Sequence, residues 1–183
     1  MSTPPIDTEI IKTWTTQGGK VVKVRPIAPA DVERLAAFAD GLSFGTRYFR
    51  FGHGDFQFSE VEIARLCNPD LANCRHLIVV TEENGAEIVI ASARFYILAD
   101  GESCEMAIVV ADAWQGSHLG HRLMACLIES ARECGLGRMY IEVLATNTRM
   151  LKFARRHGFA VTSRTDRAPI RTLCLVLDET KHT

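Results

Sequence analysis

The chain has 183 residues, of which 47% are hydrophobic and 23% charged, and its 21 basic and 22 acidic side chains leave a net charge of −1. This composition is typical of a single globular domain with a sizeable core, and it lacks the basic excess of nucleic-acid and membrane-surface proteins. No window approaches about 18 consecutive apolar residues, and the first residues lack the apolar stretch of a secretory signal. We therefore expect a cytoplasmic protein with no membrane or nucleic-acid partner.

The hydrophobic periodicity predicts alternating strands and helices between a flexible N-terminal arm over residues 1–19 and a C-terminal tail over residues 179–183. The folded domain is expected over residues 20–178, as an α+β single domain whose central mixed, largely antiparallel sheet is flanked by helices. In chain order, the predicted elements are a strand at Val21–Arg25, a helix beginning at Asp31, a helix capped by Ser59, strands at His76–Thr81, Ile88–Leu98 and Ser103–Ala111, a helix at Leu119–Cys134, a strand at Met139–Leu144, a helix at Thr148–His157, and strands at Phe159–Thr162 and Ile170–Leu177.

The six cysteines contain no C-x-x-C pair. A metal site would need a group such as Cys67, Cys74 and His76, but this spacing fits no common zinc pattern. Free cysteine is among the most buried residue types, so we interpret the six as buried thiols and expect no metal.

The stretch from Glu105 to Leu123 carries the strongest chemical signal, because a strand runs into a glycine-containing turn that opens a helix. The unpaired N–H groups and positive dipole end of a helix start favour an anion, and small turn residues let a phosphate approach the backbone. The turn lacks both the Gly-Lys-Ser/Thr of a P-loop and the glycine spacing of the Rossmann fingerprint. By spacing alone it is weak evidence for a pyrophosphate site.

The turn resembles the phosphate loop of the GNAT superfamily of acetyl-CoA-dependent N-acetyltransferases, which reads Gln/Arg-x-x-Gly-x-Gly/Ala. Gln115, Leu119 and Gly120 fit that loop. A second GNAT block, in which a strand leads to Asn, a short helix and Gly-Phe, is matched by Asn147 and by Gly158–Phe159. The resemblance spans roughly residues 21–177. Its nearest subgroup is the catalytic domain of Pat-type bacterial protein lysine acetyltransferases, which Val24–Ile27, Leu42–Ser43, Arg47–Phe51 and Glu105–Val110 resemble.

The resemblance implies acetyl-CoA as the cosubstrate and a set of residues that contact it. The implied contacts are Ile108, Val109, Val110, Gln115, Gly116, Ser117, His118, Leu119, Gly120, His121 and Asn147. It also implies that the strand containing residues 108–110 splays from the strand at 141–143, leaving backbone groups free for the pantetheine arm. Without the resemblance, Asn147 is an N-cap, which contributes about 1 kcal/mol, and both roles can hold together.

Two positions depart from the GNAT pattern. His118 stands where the loop motif has its first glycine. If the loop needs a left-handed backbone at this position, a residue other than glycine destabilises the fold by roughly 1–2 kcal/mol. Many GNAT enzymes carry a tyrosine as general acid seven residues after the Asn, where this chain has Ala154. Pat-type domains similarly lack that tyrosine and rely on a glutamate in the strand before the loop, which matches Glu105.

A carboxylate at Glu105 suits amine acetylation, because an amine must lose a proton before it attacks a thioester. Removing the proton from a lysine, whose pKa is about 10.4, costs roughly 4.6 kcal/mol at pH 7. Glu105 lies in an apolar strand, where we expect partial burial to make it a better proton acceptor. The spacing alone favours an exposed glutamate, whereas the resemblance favours a catalytic base. Glu142 is the reserve candidate, and Glu102 is interpreted as a turn residue.

The sequence therefore predicts an N-acetyltransferase that moves acetyl from acetyl-CoA to a primary amine by direct attack, in a monomer or homodimer. A protein lysine is the first expected acceptor, and residues 55–105, with ten acids against three bases, could draw a basic substrate. The alternatives are a small-molecule amine acetyltransferase, favoured by a deep and narrow cleft, and a degenerate acyl-CoA-binding regulatory module, which His118 and Ala154 make credible.

Overall fold

A computed structural model describes residues 9–16, 18–162 and 169–177, which form one mixed sheet with helices on both faces. The strands are β1 (Lys12–Thr15), β2 (Val21–Pro26), β3 (Cys74–Glu83), β4 (Ala86–Ile97), β5 (Ser103–Val110), β6 (Arg138–Leu144), β7 (Ala160–Val161) and β8 (Ile170–Val176). The helices are α1 (Val32–Asp40), α2 (Phe44–Phe51), α3 (Glu60–Cys67), α4 (Leu119–Glu133) and α5 (Thr148–Arg156). The predicted α+β architecture is confirmed.

The eight described strands lie in the order β1-β2-β3-β4-β5-β6-β8-β7, and every neighbouring pair among them is antiparallel except β5 and β6. The parallel pair is short, since its register covers only Ser103 with Arg138, Cys104 with Met139 and Glu105 with Tyr140. Beyond Glu105, β5 continues to Val110 beside β4, and β6 continues to Leu144 beside β8, with no pairing between them. The sheet therefore splits into a V after Glu105.

Each face of the sheet buries its own apolar cluster, because side chains alternate along the strands. One cluster lies under α4 and includes Leu123, Leu127, Met106 and Met139, all at most 3% exposed. The other lies under α1 and α3 and is built by residues such as Phe38, Ile63 and Ile78, with Val109 packed against it. Glu105 and Met106 consequently point to opposite faces, and Glu105 lies on the face that carries α1 to α3.

Two elements of the structure were not predicted from the sequence. β1 pairs antiparallel with β2, so the predicted flexible arm contains a sheet strand. Residues 1–8 of that arm lie outside the described part of the chain, and so do residues 178–183, which include the predicted C-terminal tail. Helix α2 begins after Ser43, whose hydroxyl accepts from the Thr46 amide, and ends at Gly52 in a left-handed conformation. α2 is amphipathic, but it is only eight residues long and none of its residues is buried.

The cysteines follow the expectation in four cases. Cys67, Cys74, Cys104 and Cys126 are buried, whereas Cys134 and Cys174 are partly exposed. Both ring nitrogens of buried His76 are engaged, Nδ1 with the Leu66 carbonyl oxygen at 3.0 Å and Nε2 with the Ser92 hydroxyl at 2.8 Å. Within the described residues, no three His, Cys, Asp or Glu side chains are grouped to hold a metal ion, and no helix is long and apolar enough to cross a membrane.

Candidate active site

A cleft of about 1120 Å³ opens where β5 and β6 diverge. Its walls are β5 from Glu105 to Val110, β6 from Ile141 to Leu144, helix α2, the start of α4 and helix α5. Because the pairing between β5 and β6 stops at Glu105, the backbone edges that face the cleft are free to bind a ligand. The cleft thus combines two open strand edges with the N-terminus of a helix.

One side of the cleft, here called the loop flank, consists of residues 115–121 and helix α5. The backbone turns through left-handed conformations at Gly116, with φ of 80°, and at His118, with φ of 62°, immediately before α4 begins. The amides of Leu119, Gly120 and His121 form the first turn of α4 and have no acceptor one turn earlier in the helix. These amides and the helix dipole create a binding place for an anion.

Gln115 fixes the loop flank in place. Its amide nitrogen donates to the Val110 carbonyl oxygen at 3.1 Å and to the Thr46 hydroxyl at 3.2 Å, while its amide oxygen accepts from Arg149 Nη1 at 2.7 Å. One side chain therefore ties together the end of β5, helix α2 and helix α5. Asp112 adds a second tie to α2, because its carboxylate accepts from the Ser43 amide and hydroxyl and from the Thr46 hydroxyl at 2.7–2.9 Å.

Asn147 caps α5 and also lines the cleft, since its side-chain oxygen accepts from the Met150 amide at 3.0 Å. Its amide nitrogen has no hydrogen-bond partner among the described residues and remains available to a ligand. Lys152 and Arg156, on the same helix, line the cleft beside Arg149 and give this flank a positive charge. Ala154 is fully buried in the core under α4, so the position of the missing tyrosine does not reach the cleft.

Two histidines on the loop flank contact each other, although the sequence gave no sign of a partner for either. His121 Nδ1 and His157 Nε2 are 2.8 Å apart, and the ring of Phe153 packs against both. Burial lowers the pKa of both imidazoles, and His118 and Arg156 lower that of His121 further. The pair joins the first turn of α4 to the end of α5, and it favours the neutral forms of the rings.

The opposite side of the cleft, here called the α2 flank, consists of helix α2 and the part of β5 around Glu105. The side chain of Glu105 is exposed, so the partial burial expected from its apolar strand is not found. Phe49 and Arg50 of α2 line the cleft on this flank. Both belong to the Pat-like segment Arg47–Phe51, but neither was proposed as a site residue from the sequence. Glu142 also lines the cleft and is exposed, whereas Glu102 lies in the turn before β5, outside the cleft.

Most of the residues proposed from the sequence lie together around the cleft. Those lining it are Glu105, Ile108, Val109, Val110, Gln115, Gly116, His118, Gly120, His121 and Asn147. Leu119 is 1% exposed and its side chain packs in the core, so its backbone amide is the group that can face a ligand. The Ser117 hydroxyl donates to the Trp114 carbonyl oxygen and stabilises the turn without lining the cleft.

Several acids of the negatively charged segment 55–105 have local structural roles. The carboxylate of Glu62 accepts from the amide and hydroxyl of Ser59, and Asp70 and Asp100 accept from groups in their own turns. These hydrogen bonds lower the pKa of each carboxyl. Such local roles favour the interpretation of these three acids as turn and cap residues.

Comparisons with known proteins agree on one family. The sequence model of the Acetyltransferase (GNAT) family matches residues 44–159. The chain is 30% identical over 141 residues to an acetyltransferase of Pseudomonas aeruginosa, covering 77% of this chain and 76% of that protein. It is 34% identical over 157 residues to acetyltransferase Pat of Mycolicibacterium smegmatis, covering 84% of this chain but 45% of Pat.

Solved structures agree with this relationship. The GNAT domain of PAT from S. lividans superposes with a TM-score of 0.80 at 26% identity, covering 91% of this chain and 96% of that domain. An acetyltransferase from Salmonella typhimurium, solved with its cofactor acetyl-CoA, superposes with a TM-score of 0.67 at 24% identity, covering 87% of this chain and 96% of that one. The second likeness shows the shared fold, and the first also supports the Pat-like resemblance.

Proposed function

The chain belongs to the GNAT acetyltransferase family, and from this premise we propose that it transfers acetyl from acetyl-CoA to a primary amine of a protein lysine. The observation that carries the proposal is the splitting of the sheet directly after Glu105, with the N-terminus of α4 at the same cleft. An acetyl donor and an amine can meet there, beside a carboxylate that is open to both.

The loop flank fits the donor, acetyl-CoA, which supplies an acetyl group activated as a thioester. The first amides of α4 would bind its phosphates, and Gly120 has no side chain to obstruct their approach. Arg149, Lys152 and Arg156 supply positive charge on the same flank, and the Asn147 amide nitrogen supplies a donor. The free edges of β5 at residues 108–110 and of β6 suit the amides of the pantetheine arm.

Glu105 is proposed as the general base. Its exposed carboxylate lies at the point where the two strands part, and it would accept the proton that the acceptor ammonium must lose. The neutral amine nitrogen then attacks the thioester carbonyl, and the carbon–sulfur bond breaks as the carbon–nitrogen bond becomes an amide. The nitrogen loses its second proton to solvent in this step, and the departing CoA thiolate takes a proton from solvent. The open strand edges would hold the carbonyl oxygen during attack. No covalent enzyme intermediate and no metal ion are needed in this sequence.

An open cleft supports a protein acceptor over a small amine. The carboxylate of Glu105 is reached from solvent, and Phe44 and Tyr48 of α2, 65% and 40% exposed, lie on the helix that borders it. Exposed aromatic side chains beside a cleft are common in surfaces that bind other proteins. A lysine side chain, which is long and unbranched, can reach Glu105 from such a surface.

An acceptor screen tests the proposal. Release of free CoA is followed with acetyl-CoA and either a pool of lysine peptides or a panel of small amines, with product mass confirming acetylation. We expect transfer to lysine peptides, and transfer confined to small amines would replace the protein acceptor by a small molecule. Binding of acetyl-CoA without turnover of any acceptor would contradict the proposed acetyltransferase activity and indicate an acyl-CoA-binding module.

A further inference from the structure

Two arginines beside the α2 flank form no salt bridge with a described residue. Arg50 on α2 and Arg94 on β4 are partly buried, yet neither guanidinium donates a hydrogen bond to, or forms an ion pair with, a described residue. Their contacts are with aromatic rings, since Arg50 Cζ lies 5.0 Å from the centroid of Phe51 and Arg94 Cζ 5.7 Å from that of Tyr96.

Arg25 on β2 shows, for comparison, how a partly buried arginine is usually paired. Arg25 donates to both carboxylate oxygens of Asp31 at 2.7 and 2.8 Å and to Glu87 at 2.6 Å. That guanidinium is held by two carboxylates, as buried cations generally are. Arg50 and Arg94 depart from this pattern, and their donors are left for something outside the described chain.

Both arginines lie close to Glu105, Arg94 through the register of the sheet and Arg50 through the docking of α2. Arg94 is the cross-strand partner of Ala107 and lies on the same face as Glu105, whose own cross-strand partner is Tyr96. Arg50 lines the large cleft together with Glu105. Arg50 and Arg94 also line a cavity of about 20 Å³ behind it, which has room for about one water. One water cannot satisfy ten guanidinium donors.

The electrostatics of Arg50 agree with an uncompensated cation. Burial, and after it the nearby charge of Arg94, lower the pKa of its guanidinium to about 10, while Tyr96 and Glu105 act in the opposite direction. Arg50 still carries its charge at neutral pH. A desolvated cation beside a second cation destabilises the free protein, and such groups in clefts concentrate at binding sites.

We infer that Arg50, supported by Arg94, forms an anion subsite that binds a carboxylate carried by the acceptor close to its reactive amine. A guanidinium offers two parallel donors that match the two oxygens of a carboxylate. The loop flank has its own cations on α5 for the donor phosphates, so Arg50 is not needed there. Glu105 for the ammonium and Arg50 for the carboxylate together complement an acceptor that carries both charges.

This inference rests on the proposed function, and the carboxylate can come from two sources. In a protein acceptor it belongs to an acidic residue next to the lysine, whereas in a small acceptor it is the acid group of an amino acid. Apart from the carboxylate, acidic and neutral acceptors undergo the same acetylation. The inference is therefore a statement about specificity, which a ratio of rates measures independently of the absolute activity.

The experiment compares kcat/KM of the unchanged protein for matched acceptors. One arm uses lysine peptides with Glu or Gln beside the lysine, and the other uses ω-amino acids of two to six carbons against alkylamines of the same length. We expect at least a tenfold preference for the acidic member in one arm, and that arm identifies the source. A ratio within twofold in both arms overturns the inference and leaves the proposed function standing. No transfer to any acceptor overturns both.

Variants then assign the preference to Arg50. Arg50→Gln should reduce the acidic-to-neutral ratio to within about twofold while acetyl-CoA binding is retained, and Arg50→Lys should restore part of the ratio. Arg47→Gln is the matched control, because Arg47 lies on the same helix, donates to the Gly54 carbonyl oxygen at 3.0 Å and does not line the cleft. A ratio that survives in a folded Arg50→Gln protein overturns the assignment. If that variant does not fold, the ratio of Arg50→Lys against Arg47→Gln decides.

Discussion

The loop flank and the α2 flank of the cleft are built on different principles. The loop flank presents backbone amides, held in place by a local turn and by Gln115. The α2 flank presents side chains from elements that are far apart in sequence, such as Arg50 and Glu105, and Arg94 of β4 lines a small cavity together with Arg50. Substitutions on the loop flank should therefore act through backbone conformation and cofactor binding, and those on the α2 flank through chemistry and acceptor choice.

The largest expected effect lies on the α2 flank. Glu105→Gln preserves the shape of the side chain but removes the proton acceptor, so kcat should fall by about 10²–10⁴-fold, as is typical for the loss of a general base. Acetyl-CoA binding should be nearly unchanged, because it depends on the loop flank. The deficit should shrink as the pH rises, since more of the acceptor amine is already neutral. Rates and acetyl-CoA affinity are measured together between neutral and alkaline pH.

Glu102→Gln is the matched control, because Glu102 is exposed in the turn before β5 and should retain full activity. If Glu105→Gln binds acetyl-CoA normally and turns over within about threefold of the unchanged protein, Glu105 is not the base. The role would then pass to Glu142 or to water.

The second prediction isolates the loop flank. A ligand that binds only the native state stabilises it by about 2.7 kcal/mol at 100 times its dissociation constant, so acetyl-CoA should raise the melting temperature. Gly120→Val should abolish most of this shift. A Cβ at Gly120 would lie 3.5 Å from Phe153 and Val110, an ordinary contact that the fold tolerates, but a larger side chain would enter the cleft.

Thermal melts with and without millimolar acetyl-CoA check both proteins. The absence of a shift in well-folded unchanged protein would contradict the cofactor assignment. An equal shift in Gly120→Val would show that acetyl-CoA binds elsewhere than at the first turn of α4.

The third prediction concerns the left-handed residue of the loop. His118 has φ of 62°, which costs a side chain roughly 1–2 kcal/mol, and glycine removes this cost while adding about 0.4–1 kcal/mol of chain entropy to the unfolded state. His118→Gly should therefore raise the free energy of unfolding by up to about 1.6 kcal/mol. Acetyl-CoA binding should be preserved or tightened. Denaturant unfolding and titration with acetyl-CoA measure the two effects, and clearly weakened binding would mean that the imidazole itself contacts the cofactor.

The smallest effect is expected from the histidine pair. The pKa values of His121 and His157 are lowered in the folded protein, chiefly by burial, whereas unfolded histidines titrate near 6.5. As the pH falls below about 6.5, the unfolded chain binds more protons than the native state, so the pair makes stability decline with acidification. His157→Asn should make that decline shallower.

Unfolding midpoints at pH 7.5 and about pH 5.5 test this for both proteins. Buried His76, whose pKa is lowered to about 3 by burial first and by Arg94 second, adds a similar decline that both proteins share. An identical pH dependence in His157→Asn and the unchanged protein would contradict a contribution from the pair.

The sequence by itself determined most of the sheet and the turn of residues 115–121 that opens α4. Strong local signals, such as the alternation in β2 and the apolar stripe of α4, predicted elements whose bounds the structure changes by a few residues. This turn was predictable because it and the helix that follows it are contiguous in the sequence. His118, which stands where the motif has its first glycine, has a left-handed backbone.

Only the tertiary structure decided the α2 flank. Helix α2 has no buried residue, and the closeness of Arg50, Arg94 and Glu105 depends on the register of β4 with β5 and on where α2 docks. The exposure of Glu105 likewise depends on where the β5–β6 pairing stops, which no local pattern encodes. Non-local register and docking result from packing of the whole chain, and they set which side chains face the acceptor.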